Sequence, residues 1–221
     1  MPDSATFGGR SGTGVRLALL GATGRIGGHV LTWALDAGHR VHALARDPEA
    51  LGQAAGLSVT RGDALDPGAV ADVIAVAEAV ISAVGPRGAK TPDLLAVAAS
   101  NIVAAMANTG ARRLISVSAA GAYVTGDPRA SQLVKMILPR VLARPFADVR
   151  AMEDVVIQTG LDWTLVRATR LVNGPLTARY RVSPDHPPPG GTKISRADVA
   201  HWCPPGGQAD PSRSRLRCSR I

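Results

Sequence analysis

An apolar run, Leu17-Ala18-Leu19-Leu20, meets glycines at Gly21, Gly24 and Gly27 and passes directly into the apolar-periodic stretch Ile26 to Ala37. A buried strand, a tight glycine turn and a helix N-terminus in immediate succession constrain the fold more than any other feature of the chain. The turn aims backbone N–H groups and the helix dipole at one point, which suits the pyrophosphate of a dinucleotide. Spaced glycines alone would mean little in a chain with 24 of them. Their position after a first strand, in a βαβ unit whose second strand ends about twenty residues on, gives them meaning. Gly21 permits the turn, Gly24 permits close approach of the pyrophosphate, and Gly27 lets helix and strand pack closely. Thr23 can offer its hydroxyl to a phosphate oxygen.

The rest of the chain repeats the alternation. Strand-like runs occur at Arg40–Ala45, Leu57–Arg61, Ala79–Gly85, Arg113–Ser118 and Trp163–Arg167. Helical patterns separate them, from Pro67 to about Ala77, Pro92 to Thr109 and Asp148 to Thr159. Six such units predict an α/β doubly wound parallel sheet in a single domain, an NAD(P)-binding Rossmann fold, because right-handed crossovers place helices on both faces. Within that frame, residues 1–14 read as a flexible leader and 15–202 as the Rossmann domain. A small substrate-pocket region falls at about 122–145 and 168–195, including an apolar patch at Leu133 to Leu138. Residues 203–221 read as an irregular Arg-rich tail, since Pro204 and Pro205 cannot continue the helix that starts near Ile194. The abrupt change of composition there suggests an altered terminus.

Composition narrows the function classes. Hydrophobic residues make up 46% of the 221 positions and aromatics 3%, which favours close-packed helices on buried strands. No apolar run approaches the roughly 18 residues of a membrane span, and the polar, glycine-rich leader lacks a signal-peptide core. A cytoplasmic location without membrane association is expected. Of the net charge of +8, the body from Val15 to Trp202 holds 20 basic against 15 acidic residues, with no basic block interleaved with aromatics. That argues against nucleic acid as the partner. Cys203 and Cys218 form neither a disulfide framework nor a metal cluster, and no metal is expected. A small-molecule partner is expected, with the chain a monomer or a weak homo-oligomer.

The end of the second strand distinguishes the two nicotinamide dinucleotides. A carboxylate there would bind the ribose hydroxyls, whereas a 2′-phosphate needs a cation. Arg46 stands at that position, with Arg25 in the glycine turn as a second cation, and a guanidinium makes two-pronged, charge-assisted contacts with phosphate. NADP is therefore favoured over NAD. Asp47 reads as the cap of a following helix with Pro48 in its first turn.

These stretches carry a resemblance. Gly-Ala-Thr-Gly-Arg-Ile-Gly at 21–27, Leu-Ala-Arg-Asp at 44–47, Gly62-Asp63 and Ser116-Val117-Ser118-Ala119 resemble the atypical short-chain dehydrogenase/reductases. The chain is similar in particular to the NAD(P)H-binding, NmrA-like group with the flavin and biliverdin-IXβ reductases. Gly160-Leu161-Asp162-Trp163, Gly174-Pro175-Leu176-Thr177 and Lys193-Ile194-Ser195-Arg196-Ala197-Asp198-Val199-Ala200 extend the likeness to Trp202. The resemblance implies that Gly21, Thr23, Gly24, Arg25, Ile26 and Gly27 bind the cofactor phosphates and Arg46 the 2′-phosphate. It places Asp63 and Ala64 beside the adenine, Val84 and Gly85 at the nicotinamide ribose, and Ser118 and Ala119 near the nicotinamide.

The Tyr-x-x-x-Lys acid of the wider superfamily is missing: Asp127 follows Tyr123 at that spacing, and Tyr180 has no Lys four residues on. Ala119 and Arg170 stand where the flavin and biliverdin reductases carry a serine and a histidine. Hydride transfer to a flavin, quinone or tetrapyrrole-like acceptor needs placement more than a positioned acid, whereas carbonyl reduction needs the acid. Ser118 is the candidate catalytic group, as a hydroxyl that polarises the nicotinamide amide or an acceptor oxygen; a strand-end cap is the structural alternative. Arg87, Tyr123 and Arg170 are the pocket candidates, with Lys90 and Lys135 behind them. The five histidines show no partners, and Glu153 and Asp154 read as solvated charges on an exposed helix face. Two functions stay open: an NADPH-dependent reductase, and a dinucleotide-binding redox sensor without turnover.

Overall fold

The computed structural model describes residues 14–85, 93–126, 143–183, 191–203 and 214–220. Its centre is β1 (Arg16–Leu20), in which alternate side chains serve opposite faces of the sheet. Leu17 and Leu19 join one apolar cluster while Ala18 and Leu20 join the other. A strand buried on both faces needs parallel partners carrying helices above and below. These are β2 (Arg40–Ala45), β3 (Leu57–Arg61), β4 (Ala79–Ser82), β5 (Arg113–Ala119) and β6 (Asp162–Ala168). The sheet runs in the order β3-β2-β1-β4-β5-β6, all parallel, with register pairs such as Leu20 with Leu44 and Leu20 with Ser82.

Helices α1 (Gly27–Asp36), α2 (Pro67–Ile74), α3 (Leu94–Ala107) and α4 (Ala143–Ile157) fill the crossovers, and α5 (Arg196–Trp202) follows the last of these strands. One face of the sheet packs on α2, α3 and α4 through Val73, Ile102, Met106, Val149 and Val156. The other packs on α1 and α5 through Val30, Leu31, Val199 and Trp202. The caps explain two boundaries. The Asp66 side chain accepts from Gly68 and Ala69 N–H at the start of α2. Asp148 of α4 accepts from the Leu95 and Ala96 N–H groups, both at 3.0 Å, and so caps α3 from its neighbour. Asp47 precedes a 3-10 turn at Pro48–Leu51, as its spacing to Pro48 predicts, but its side chain makes no capping hydrogen bond.

The pocket region after β6 is more ordered than the sequence indicates. It contains β7 (Arg170–Val172), β8 (Tyr180–Ser183) and β9 (Lys193–Ser195), with β7 and β9 paired in a separate two-stranded sheet. The largest correction concerns the tail. Residues 203–221 are expected to be irregular, yet Ser214–Arg220 form β10, parallel to β6 and antiparallel to β8. Alternating Ser-Arg-Leu-Arg-Cys-Ser-Arg lacks an apolar run, so composition hides a strand whose backbone pairing on both sides is what places it. The apolar patch at Leu133 to Leu138 lies outside the described residues. Among the described residues, no helix is long and apolar enough to cross a membrane.

The pairing predicts that β10 contributes to stability. Deleting residues 204–221 should lower the melting temperature by several degrees, each kcal/mol being worth about 2–4 °C in a chain of this size. A calorimetric scan with an unchanged melting temperature would contradict the strand's placement.

Candidate functional site

The site begins where β1 ends. Gly21 has φ +83°, and a Cβ built on it would lie 2.6 Å from the Ala83 carbonyl group. Gly27 opens α1 with its α-carbon against the preceding turn: a Cβ there would lie 2.0 Å from the Gly21 oxygen. Gly24 is nearly as confined, with a Cβ meeting that same oxygen at 3.0 Å. The turn is closed by Gly24 N–H to Gly21 O at 2.9 Å and Gly28 N–H to Gly24 O at 2.8 Å. Only glycine fits at Gly21 and Gly27, and the backbone is left bare on the side facing solvent.

That bare side is the floor of a cleft of about 510 Å³ at the carboxyl ends of the strands. From the candidate residues the structure brings Gly21, Thr23, Gly24, Arg25, Ile26, Arg46, Ala64, Val84 and Gly85 together on its walls. The carboxyl ends of β1 and β4, where the strand order reverses, lie at its middle, the place where open parallel sheets bind ligands. Gly27 is buried behind it as packing. Asp63 does not line the cleft; its carboxylate accepts from Leu65 N–H at 3.0 Å and shapes the turn that presents Ala64. That turn is anchored by Asn101 Nδ2, which donates to Ala64 O. Sequence reasoning missed Leu44, Ala45, Gly62, Ala83, Leu171 and Arg196, which complete the walls. It also missed Arg61, whose Nη1 donates to the Arg46 carbonyl at 3.2 Å and holds the end of β2.

The cleft is electropositive. Arg25, Arg46 and Arg196 line it, and among the described residues no carboxylate pairs with any of them. The glycine cradle and the cations fit a dinucleotide with its phosphates, which would lie over Gly24 with the adenosine toward Arg46.

Beside the cleft, at the carboxyl ends of β5 and β6, lies a cluster that corrects one expectation outright. Glu153 is not solvated; it is 1% exposed and accepts from four donors. Ser118 Oγ donates to it at 2.5 Å, Tyr123 Oη at 2.6 Å, and Arg167 through Nε at 2.9 Å and through Nη2. The Arg167 guanidinium also lies over the Tyr123 ring, 3.9 Å from its centroid. Burial alone works against the Arg167 charge, but the bonds and field of Glu153 reverse this and hold it above the ordinary arginine range. Burial, together with the Glu153 hydrogen bond, pushes the Tyr123 phenol far above the usual tyrosine range. The signals were present in the sequence: Glu153 falls on the apolar stripe of Phe146, Val149 and Val156, and Arg167 interrupts a buried strand.

The remaining candidates disperse. Arg170 is exposed at the start of β7, while Arg87, Lys90, Lys135 and His186 lie outside the described residues. Three histidines have the partners that the sequence does not reveal. His39 accepts from Val15 N–H, His42 bonds Thr60 Oγ1, and His201 bonds Tyr180 Oη. Burial depresses His42 below the ordinary histidine range, and it stands away from the cleft in β2.

Residues 21–204 match the model of a family described as NAD(P)H-binding. The chain belongs to that family. The fold is shared with solved structures of low identity. One is a short-chain dehydrogenase/reductase from Veillonella parvula in complex with NADP, 22% identical, covering 93% of this chain and 94% of that one at TM-score 0.75. Another is the anaerobillin reductase ChuY from Escherichia coli O157:H7, 20% identical, covering 93% and 97% at TM-score 0.74. A third is the oxidoreductase ylbE from Lactococcus lactis, 17% identical, covering 93% and 91% at TM-score 0.77. The chain is thus a member of an NAD(P)H-binding family and shares the Rossmann fold of these structures.

The Glu153 cluster makes two measurable demands. Removing one side of a buried ion pair destabilises by about 3–5 kcal/mol, so Glu153→Ala should fall in that range by denaturant unfolding, well beyond Ser118→Ala. In a UV titration, the difference between wild type and Tyr123→Phe should show no phenolate up to about pH 11, past the ordinary tyrosine range. A group raised in the folded state contributes its stability below its unfolded value and loses it as pH rises beyond. Tyr123 should thus stabilise the fold fully below about pH 10 and progressively less above it. A Tyr123 phenolate appearing at the ordinary value would contradict the hydrogen bond to Glu153.

Proposed function

We propose that the chain is an NADPH-dependent reductase that delivers hydride to a planar acceptor such as a flavin, a quinone or a tetrapyrrole-like compound, without a tyrosine acid. The observation that carries this reading is the cleft itself: a glycine cradle at the switch point with Arg46, not a carboxylate, at the end of β2. NADPH bound there would supply the hydride. A neighbour of the same fold was solved with NADP and another is named as a reductase, which agrees with that chemistry.

The chain's own residues position and exclude. Arg46 and Arg25, which line the cleft, would hold the 2′-phosphate, with Arg61 bracing the backbone of Arg46. Val84 and Gly85, which follow β4 and line the cleft, would face the nicotinamide half. Tyr123 Oη and Ser118 Oγ both donate hydrogen bonds to Glu153, and the Tyr123 phenol, held above the usual tyrosine range, is a poor proton donor at neutral pH. Ser118 is buried and is not among the residues that line the cleft, so its hydroxyl serves Glu153. The proton that accompanies hydride then comes from water, which a stacked flavin or quinone tolerates and a carbonyl substrate does not.

Two measurements test the reading. Stopped-flow oxidation of NADPH with FMN, riboflavin and a quinone should show turnover with at least one acceptor. Tight NADPH binding with no oxidation by any of them would replace the reductase by a dinucleotide sensor. Arg46→Glu should weaken NADPH by more than about tenfold, the scale of one lost charge-assisted contact, and leave NADH nearly unchanged; equal losses would refute the 2′-phosphate site.

A further inference from the structure

Part of the cleft wall is built by a segment of the chain that the cofactor reading does not use. β7 and β9 pair in parallel, with Leu171 beside Ile194 and Val172 beside Ser195. One place further along, Asn173 and Arg196 face each other, and Arg196 Nη1 donates to Asn173 Oδ1 at 2.8 Å. Leu171 and Arg196 are the two members of this unit that line the cleft. The unit is held from behind. Buried Ser195 accepts from Asp198 N–H, and fully buried Asp198 accepts from Thr177 N–H, Thr177 Oγ1 and Ala178 N–H. These bonds fix the loop that leads from Asn173 to β8, including Ala178 in its left-handed conformation at φ +52°.

We propose that Arg196 is an anion receptor on the nicotinamide side of the cleft, taking a phosphate or carboxylate group of a bound ligand through the donors that Asn173 leaves free. A guanidinium with one donor engaged by a neutral amide is oriented without being neutralised. It lies on the unit that follows β6, at the start of α5, which packs beside α1 on the same face of the sheet, and so adds a third cation to the cleft from a segment distinct from those of Arg25 and Arg46. A side chain placed merely for solubility would need neither an orienting amide nor a rigid two-strand mount facing a cavity. The chemistry has two sources, the diphosphate of the cofactor or an anionic group on the acceptor. The inference rests on the NADPH-dependent reading for its biological meaning, though not for its test.

The test is calorimetric titration of the full chain with inorganic pyrophosphate, NADPH, FMN and riboflavin, comparing wild type with R196A, R196K and N173A. R196A should weaken pyrophosphate by about fivefold or more, a discounted charge-assisted contact for a half-exposed group. R196K should recover part of this, and N173A should show a smaller loss in the same direction. A parallel loss for NADPH assigns the cofactor diphosphate. Unchanged NADPH with loss of FMN binding, riboflavin unaffected, assigns an acceptor anion. Each of these supports the proposal. R196A binding all four ligands within about twofold of wild type, at an equal melting temperature, overturns it. Wild type that binds pyrophosphate through Arg196 but not NADPH would sink the reductase reading and leave this inference standing.

Discussion

The contact between the Gly27 α-carbon and the Gly21 carbonyl is what the rest of the structure depends on. Any side chain at Gly27 would occupy the space of that oxygen, so the close approach of α1 to β1 exists only because both residues are bare. From it follow the bared backbone of the turn, the direction of the α1 N-terminus and the position of the cleft at the reversal between β1 and β4. The same β1 supplies both apolar clusters, Leu17 and Leu19 to one face and Ala18 and Leu20 to the other. Core and site are thus set by one junction.

Arginine is used in two opposite ways around it. Arg167 is buried, paired with buried Glu153 and stacked on Tyr123, with its charge consumed inside the protein. A buried pair of this kind adds little net stability over an apolar alternative, but leaving either member alone is expensive. It therefore fixes the ends of β5 and β6 in one arrangement. Arg25, Arg46 and Arg196 stand at the cleft without carboxylates among the described residues, so their charge remains available to a ligand.

Local features were readable from the residues, and long-range ones were not. The strand-turn-helix junction, the alternation of buried runs and Arg46 at the end of β2 are encoded within short windows, because each rests on backbone geometry or strand burial. Glu153 was misread because its helix is polar on average, and the donors that make burial tolerable come from Ser118, Tyr123 and Arg167, 14 to 35 residues away. β10 was misread because its placement depends on two neighbours and not on its own composition. Arg196 was seen as part of a motif, yet its place in the cleft required the pairing of β7 with β9. In each case the missing information was a contact between distant segments.

In the proposed function one cleft would hold NADPH with its adenosine toward β2 and its nicotinamide beside the end of β4. A crystal structure of the chain grown with NADPH tests it most directly. The expected density has a 2′-phosphate oxygen within hydrogen-bond distance, about 2.7–3.2 Å, of Arg46, the diphosphate over Gly24, and the nicotinamide ring against Val84 and Gly85. A dinucleotide in the reverse orientation, or bound away from the glycine turn, would contradict it.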